Sequence, residues 1–175
     1  MTRTLYILRH AKSDWGNPGA EDFDRGLAPR GRSAAPRMGA SMLKAGYRPD
    51  LVLCSSAIRA RATLALLLPE LKLPEPPEIR YEDDLYLASP EALLERLHSV
   101  PDAAKRVLII GHNPGLHALA LALAGRGGSQ DMAALATKFP TAALAVLSFD
   151  VPAWPKVRAG TGRLEAFLTP RKIKD

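Results

Sequence analysis

Short apolar runs alternate with segments of helical periodicity along this chain, and this alternation limits the folds that the chain can adopt. The first run occupies residues 3–9, the second is Leu51–Cys54, and the clearest is Arg106–Ile110. Between the first two, the apolar positions from Gly31 to Lys44 fit one face of a helix. Strand–helix–strand order is typical of α/β folds. We therefore predict a three-layer α/β/α sandwich with a mostly parallel sheet of about five to six strands.

Length and composition favour one domain over residues 1–175. Of the 175 residues, 47% are apolar and 24% charged, which is typical of a globular domain with a real core. The single cysteine, Cys54, excludes an internal disulfide and offers no metal-site spacing, and its apolar neighbours predict a buried thiol. No apolar stretch is long enough to cross a bilayer and no separate leader is recognisable, so we expect a cytoplasmic protein.

The formal net charge of +6 is compatible with nucleic acid, another anionic partner or a phosphorylated substrate. The basic residues are scattered, apart from the tail Arg171–Lys174, which we interpret as a solvated end. Aromatic residues make up only 6% of the chain and are not interleaved with a basic run. No nucleic-acid partner is therefore predicted. A nucleotide-binding P-loop motif is also absent from the sequence.

Residues 12–29 form a long aperiodic segment rich in glycine and proline, and loops of that length in compact domains are usually functional or disordered. Within it, Asp22 and Arg25 flank an aromatic residue, and we predict a local salt bridge that holds the loop rather than a substrate contact. Later in the chain, Gly125–Gly128 is interpreted as a turn. Two further strands are predicted over residues 142–149 and 162–168.

Three separate segments place cationic or imidazole side chains at or just after predicted strand ends. Arg9 and His10 follow the first strand, Arg59 lies in the first turn of the helix after the second, and His112 follows Gly111. In open α/β sheets the carboxyl ends of the strands face the ligand crevice. Arginine suits phosphate oxygens, and histidine is a known covalent nucleophile. We therefore predict a phosphoryl-transfer pocket formed by these four side chains.

The local context of these residues supports that interpretation. An arginine in a first helical turn is poorly matched to the helix dipole, so Arg59 is a better ligand candidate than most arginines. Asn113 and Pro114 are a good N-cap and a good first helical residue, and they predict a helix N-terminus beside the preceding histidine. His117, inside the predicted helix of residues 116–124, is expected to be packed or exposed rather than catalytic.

The motifs resemble those of the histidine phosphatase superfamily, which includes the phosphoglycerate mutases. The similarity covers nearly the whole chain, and it is closest to the small SixA-type phosphohistidine phosphatases. The matching segments are Arg9-His10-Ala11, Asp22 to Gly31, Ser55 to Thr63, Leu85 to Ala88, and Gly111 to Leu116.

The resemblance implies a mechanism and a set of partners. It implies that His10 accepts the phosphoryl group, that water then releases it, and that Arg9, Arg59 and His112 bind the phosphoryl oxygens. It implies no metal and no cofactor. The expected partner is a phosphorylated histidine-containing protein or a small phosphorylated substrate, with no membrane involved. The sequence does not establish the oligomeric state, for which a monomer is the expectation.

One departure from the family pattern concerns the proton donor for the leaving group. Mutase-like members use an acid that has no clear match here, because Asp83 and Asp84 lie near the expected place but do not align with it. An alkoxide needs such a donor, whereas a protonated phosphohistidine ring can leave as neutral imidazole. We therefore predict a phosphohistidine phosphatase. The alternatives are a phosphatase of a small phosphorylated metabolite and an inactive phosphate-binding module.

Overall fold

The computed structural model describes residues 2–173, and seven strands of this part of the chain form one mixed sheet. The strands are β1 (Thr2–Arg9), β2 (Leu51–Ser55), β3 (Glu78–Glu82), β4 (Arg106–Gly111), β5 (Ala124–Gly127), β6 (Leu144–Asp150) and β7 (Gly162–Leu168). Their order in the sheet is β3-β2-β4-β1-β6-β7-β5. Four of the six strand pairings among the described residues are parallel, and β6 pairs antiparallel with both β1 and β7. The helices are α1 (Pro29–Ala45), α2 (Ile58–Leu67), α3 (Pro90–His98), α4 (Gly115–Leu123) and α5 (Ser129–Thr137).

Alternation along the central strand β1 divides the core into two layers. Leu5 and Ile7 lie in a buried cluster with residues of α3, α4 and α5. Tyr6 and Leu8 lie in a second cluster, with residues of α1 and α2. Successive side chains of a strand point to opposite faces, so a strand that is apolar throughout needs helices on both faces. The three-layer α/β/α architecture predicted from the sequence is confirmed.

The sheet has seven strands rather than the expected five to six, because the glycine-rich stretch after α4 is a strand and not a turn. This strand, β5, pairs in parallel with β7 at the edge of the sheet. A Cβ on Gly125 would lie 2.0 Å from the carbonyl oxygen of Gly160, so only glycine allows that close backbone approach. The helix α5 that follows was also not predicted.

Proline and glycine mark the helix ends, though not always as predicted. Gly46 ends α1 with a φ of 79°, a left-handed conformation that glycine adopts easily. The periodicity from Gly31 to Lys44 would place Pro36 near the first turn of α1, but α1 begins at Pro29, so Pro36 lies inside the helix. The next difference is at α4, which begins at Gly115 rather than at Pro114. The Asn113–Pro114 peptide bond is cis, and the Asn113 side-chain amide donates to the carbonyl of Phe139 instead of capping α4.

Three other expectations concern single features of the chain. Cys54 is fully buried, as predicted, and burial raises the pKa of its thiol to about 12. Arg171 and Lys172 of the basic tail are exposed, and Lys174 lies outside the described residues. Within residues 2–173, no helix combines the length and the hydrophobicity needed to span a bilayer.

The tight approach of α4 to the segment before α3 gives a stability prediction. A Cβ on Gly115 would lie 1.9 Å from the carbonyl oxygen of Ala88, so the backbone must move to accept it. We expect Gly115→Ala to lower the free energy of unfolding by about 1–3 kcal/mol, measured by urea denaturation. The control is Gly26→Ala, since nothing lies within 4 Å of its added Cβ. Equal stability of the two variants would contradict this packing.

Candidate active site

His10 directly follows β1, and its ring is oriented by the backbone. The backbone N–H of His10 donates to the Gly111 carbonyl over 3.1 Å, and this hydrogen bond joins the ends of β1 and β4. Its ring Nδ1 lies 2.7 Å from the carbonyl oxygen of Ala11. A carbonyl only accepts hydrogen bonds, so Nδ1 carries the proton and the lone pair of the neutral ring is on Nε2. Burial, opposed by this hydrogen bond, lowers the pKa of His10 to about 3, so the ring is neutral at pH 7.

His112 follows β4, and its ring faces that of His10. The two ring centroids are 5.2 Å apart. The His112 Nε2 lies 2.7 Å from the hydroxyl oxygen of Ser55, the last residue of β2. Burial, followed by the charge of Arg59, lowers the pKa of His112 to about 4. The ends of three neighbouring strands therefore meet at one place. Ser55, which was not predicted as a site residue, orients the second histidine.

The two arginines of the predicted set lie at the same place and are partly unpaired. One terminal nitrogen of Arg9 donates to the Phe139 carbonyl over 3.1 Å. Arg59 is 3% exposed, and its terminal nitrogens donate to the backbone carbonyl and the carboxylate of Asp22. The buried Nε atoms of both arginines, and the buried Nδ1 of His112, have no hydrogen-bond partner among the described residues. Buried polar nitrogens without partners are costly, and an anion with several oxygens would satisfy them.

All four predicted residues line one open cavity of about 360 Å³, with an excess of cationic side chains. Asp22 contributes the only carboxylate among the described residues that line it. The lining comprises Arg9, His10, Lys12, Ser13, Trp15, Asp22, Arg25, Arg59, Leu87, His112, Asn113 and Thr141.

Asp22 links the long loop to this cavity. Arg25 donates to one carboxylate oxygen of Asp22, at 2.7 Å, which is the salt bridge predicted within the loop. The other carboxylate oxygen of Asp22 accepts hydrogen bonds from Arg59 and from the hydroxyl of Tyr86. The hydrogen bonds from Tyr86 and Arg25 hold the pKa of the Asp22 carboxyl far below its usual range, so it is ionised at neutral pH. Sequence reasoning missed the contacts of Asp22 with Arg59 and Tyr86, which are distant in the chain.

The rim of the cavity carries a second contact of Arg25. Its guanidinium carbon lies 3.5 Å from the centroid of the Trp15 ring, which is 70% exposed. The same guanidinium donates to the Ser13 hydroxyl at 2.7 Å. Arg25 thus ties an exposed aromatic ring to the loop and to the site.

The two acidic residues considered as proton donors lie outside this cavity. Asp83 accepts a hydrogen bond from the Ser56 hydroxyl, and both Asp83 and Asp84 line a different cavity, next to α3. His117 is also outside the site, where its Nε2 lies 2.6 Å from the Leu135 carbonyl oxygen. The structure therefore brings no second carboxylate of the described chain to His10.

Comparison with known proteins gives consistent matches. Residues 5–86 match the model of the histidine phosphatase superfamily (branch 1). A crystal structure from Agrobacterium tumefaciens, of a protein proposed to be the phosphohistidine phosphatase SixA, is 34% identical with a TM-score of 0.80, covering 96% of this chain and 98% of that one. A similarly described structure from Nakamurella multipartitia is 29% identical with a TM-score of 0.81, covering 97% of each chain.

Sequence relatives extend the match. An uncharacterized protein of Mycobacterium leprae is 37% identical over 168 residues, which cover 94% of this chain and 100% of the relative. The similarity thus includes the early segment with His10 and the late segment with His112. With these matches and this cavity, the chain belongs to the histidine phosphatase superfamily.

Proposed function

We propose that the protein removes the phosphoryl group from phosphohistidine on another protein, through a covalent intermediate on His10. The observation that carries this proposal is that the His10 cavity holds no protonated carboxyl group among the described residues. Asp22, the one carboxylate among the described residues that line it, is ionised at neutral pH and donates no proton. Such a site suits a leaving group that departs without help from an enzymic acid.

In the first step, the Nε2 lone pair of His10 attacks phosphorus in line with the substrate imidazole. The new P–N bond forms on His10 as the P–N bond of the substrate breaks. The pair of electrons goes to the leaving nitrogen, and the substrate ring, protonated at its other nitrogen, departs as neutral imidazole. Nδ1 of His10 keeps its proton throughout because its bond to the Ala11 carbonyl holds that tautomer.

Arg9, Arg59 and His112 act on the phosphoryl oxygens during this transfer. Their unpartnered buried nitrogens are the donors available to equatorial oxygens, where transition-state charge collects. The two arginines supply fixed positive charge, and we propose that the reaction needs no metal ion. In the second step, water attacks phosphorus, the P–N bond to His10 breaks, and phosphate leaves with neutral His10 restored.

The covalent intermediate gives the first test of this function. With a ³²P-phosphohistidine substrate, wild-type protein should acquire acid-labile label on His10 in rapid-quench samples, and His10→Ala should show neither label nor turnover. The matched control is His117→Ala, which should label normally because its ring lies outside the cavity. A phosphate-binding module without catalysis would give no label in any variant.

The buried environment of His10 gives the second test. Because its pKa is lowered to about 3, protons bind the ring only in strong acid, and the nucleophilic form persists as the pH falls from 7 to 5. Nitrogen-15 NMR of histidine-labelled protein should show Nε2 of His10 unprotonated over that range, with the signal assigned by its loss in His10→Gln. Protonation of Nε2 near pH 6.5, the usual imidazole value, would refute this.

The missing acid gives the third test. We expect kcat/KM for phosphohistidine to exceed that for phosphoserine by at least about 100-fold, since serine leaves as an alkoxide and removal of general acid assistance typically costs about 10²–10⁴ in rate. Asp83→Asn and Asp84→Asn should leave phosphohistidine hydrolysis unchanged within about twofold, because neither lines the cavity. Faster hydrolysis of phosphoserine or of a sugar phosphate would instead support the small-metabolite alternative.

A further inference from the structure

A second cavity, of about 390 Å³, adjoins the His10 cavity, and we call it the basic groove. It lies between α1, the end of α5 and the segment after β7. Lys12 and Thr141 line both cavities, so the two are continuous on the protein surface. Nothing in the proposed chemistry at His10 uses this second space.

The described residues of the basic groove concentrate positive charge. The described residues that line it include no aspartate or glutamate, although the whole chain has 18 of them against 24 lysines and arginines. Six of those 24 cations line the groove: Lys12, Arg30, Arg37, Lys138, Arg171 and Lys172.

Most of these cations are not neutralised by the part of the chain that the structure describes. Within residues 2–173, five of the six form no ion pair. The sixth cation, Arg37, is bonded to the protein. It donates to the Pro170 carbonyl at 3.3 Å, and this bond holds the last described segment against α1. Like charges gathered in this way repel one another, and an anionic occupant of the groove would relieve that repulsion.

The lining between the cations is apolar and hydroxylated rather than charged. Phe167, itself almost fully buried, contributes to the groove together with Pro140 and Pro170, and Thr137 and Thr169 add hydroxyl groups. A space of this size and mixed character suits several side chains of a peptide, with carboxylates at the cationic rim and an apolar group against the two prolines. A lone inorganic phosphate would leave most of it empty.

We propose that the basic groove is the docking surface for an acidic segment of the phosphorylated protein substrate, beside its phosphohistidine. This inference rests on the proposed function, since it extends the substrate of the same site from a phosphorylated side chain to an acidic protein surface. Complementary charge of this kind accelerates encounter and selects partners, and it weakens as salt screens it. Phosphohistidine proteins with acidic surroundings are therefore preferred over neutral ones.

Matched peptides test the preference. One synthetic peptide carries a single histidine flanked by aspartate, glutamate and one leucine, and its partner carries asparagine and glutamine in place of the acids. Both are phosphorylated chemically, and free phosphohistidine is the third substrate. At low salt, wild-type kcat/KM should be about tenfold higher for the acidic peptide than for the neutral one, and this gap should shrink at 0.5 M salt, where the Debye length is only a few ångströms.

Two charge-matched variants locate the effect. Arg30→Glu/Lys138→Glu/Lys172→Glu changes exposed residues of the basic groove that do not line the His10 cavity, whereas Arg126→Glu/Lys156→Glu/Arg158→Glu changes exposed residues outside both. The groove variant should lose the preference for the acidic peptide while its kcat/KM for free phosphohistidine stays within about twofold. The control variant should keep the preference. Equal rates on the two peptides with wild type, or equal loss in both variants, would overturn the docking proposal.

A binding measurement with an unphosphorylated peptide tests the docking proposal independently of the proposed phosphatase function. Fluorescence anisotropy of the labelled, unphosphorylated acidic peptide should show binding to wild type and to the control variant, and weaker binding to the groove variant. That result supports docking even if no phosphohistidine substrate is hydrolysed, an outcome that would defeat only the proposed function. Displacement of the peptide by inorganic phosphate at equal concentration would instead identify a small-anion site and overturn the proposal.

Discussion

The parallel register between β1 and β4 determines where both histidines lie. Arg9 pairs with Gly111 at the last position of the ladder, and each strand then places its histidine one residue later. The hydrogen bond from the His10 N–H to the Gly111 carbonyl continues that ladder by one step, and the rings meet at 5.2 Å. A slip of one residue would turn one ring to the opposite face of the sheet. The geometry of the site is thus a property of the buried strand pairing, which the two apolar layers stabilise.

Electrostatic balance in the cavity depends on Asp22. Two buried or nearly buried guanidinium groups, those of Arg25 and Arg59, share its carboxylate, and the hydroxyl of Tyr86 adds a third donor. A single ionised carboxylate therefore orders the loop and orients Arg59 before substrate arrives. The buried Nε atoms of Arg9 and Arg59 and the Nδ1 of His112 have no partner among the described residues, which leaves binding capacity for an anion. Different atoms of Arg59 therefore serve the two purposes. Its terminal nitrogens are bonded to Asp22, which fixes the side chain, whereas its Nε has no partner among the described residues and can bind an anion.

Most of the site could be predicted from the sequence because its residues follow strands that are unmistakably apolar. Periodicity placed His10 and His112 at strand ends, and the order of strands in an α/β fold brought those ends together. The contacts of Asp22 could not be found in that way, since no pattern relates an irregular loop to a tyrosine 64 residues later. The strand β5 was missed for a different reason: its sequence is glycine-rich, and its extended form depends on pairing with β7 and on the close carbonyl of Gly160.

The hydrogen bond that fixes the His10 tautomer has its acceptor in the main chain. In many catalytic histidines a carboxylate side chain holds the ring, and a single substitution removes it. Here the acceptor is the carbonyl of Ala11, the next residue, so every replacement of that alanine retains the same oxygen. Mutation can displace this contact only by moving the backbone, which the sheet opposes. The orientation of His10, the proposed nucleophile, is therefore insulated from point substitution. Variation in the surrounding loops can then alter the preferred substrate while the His10 ring keeps its position.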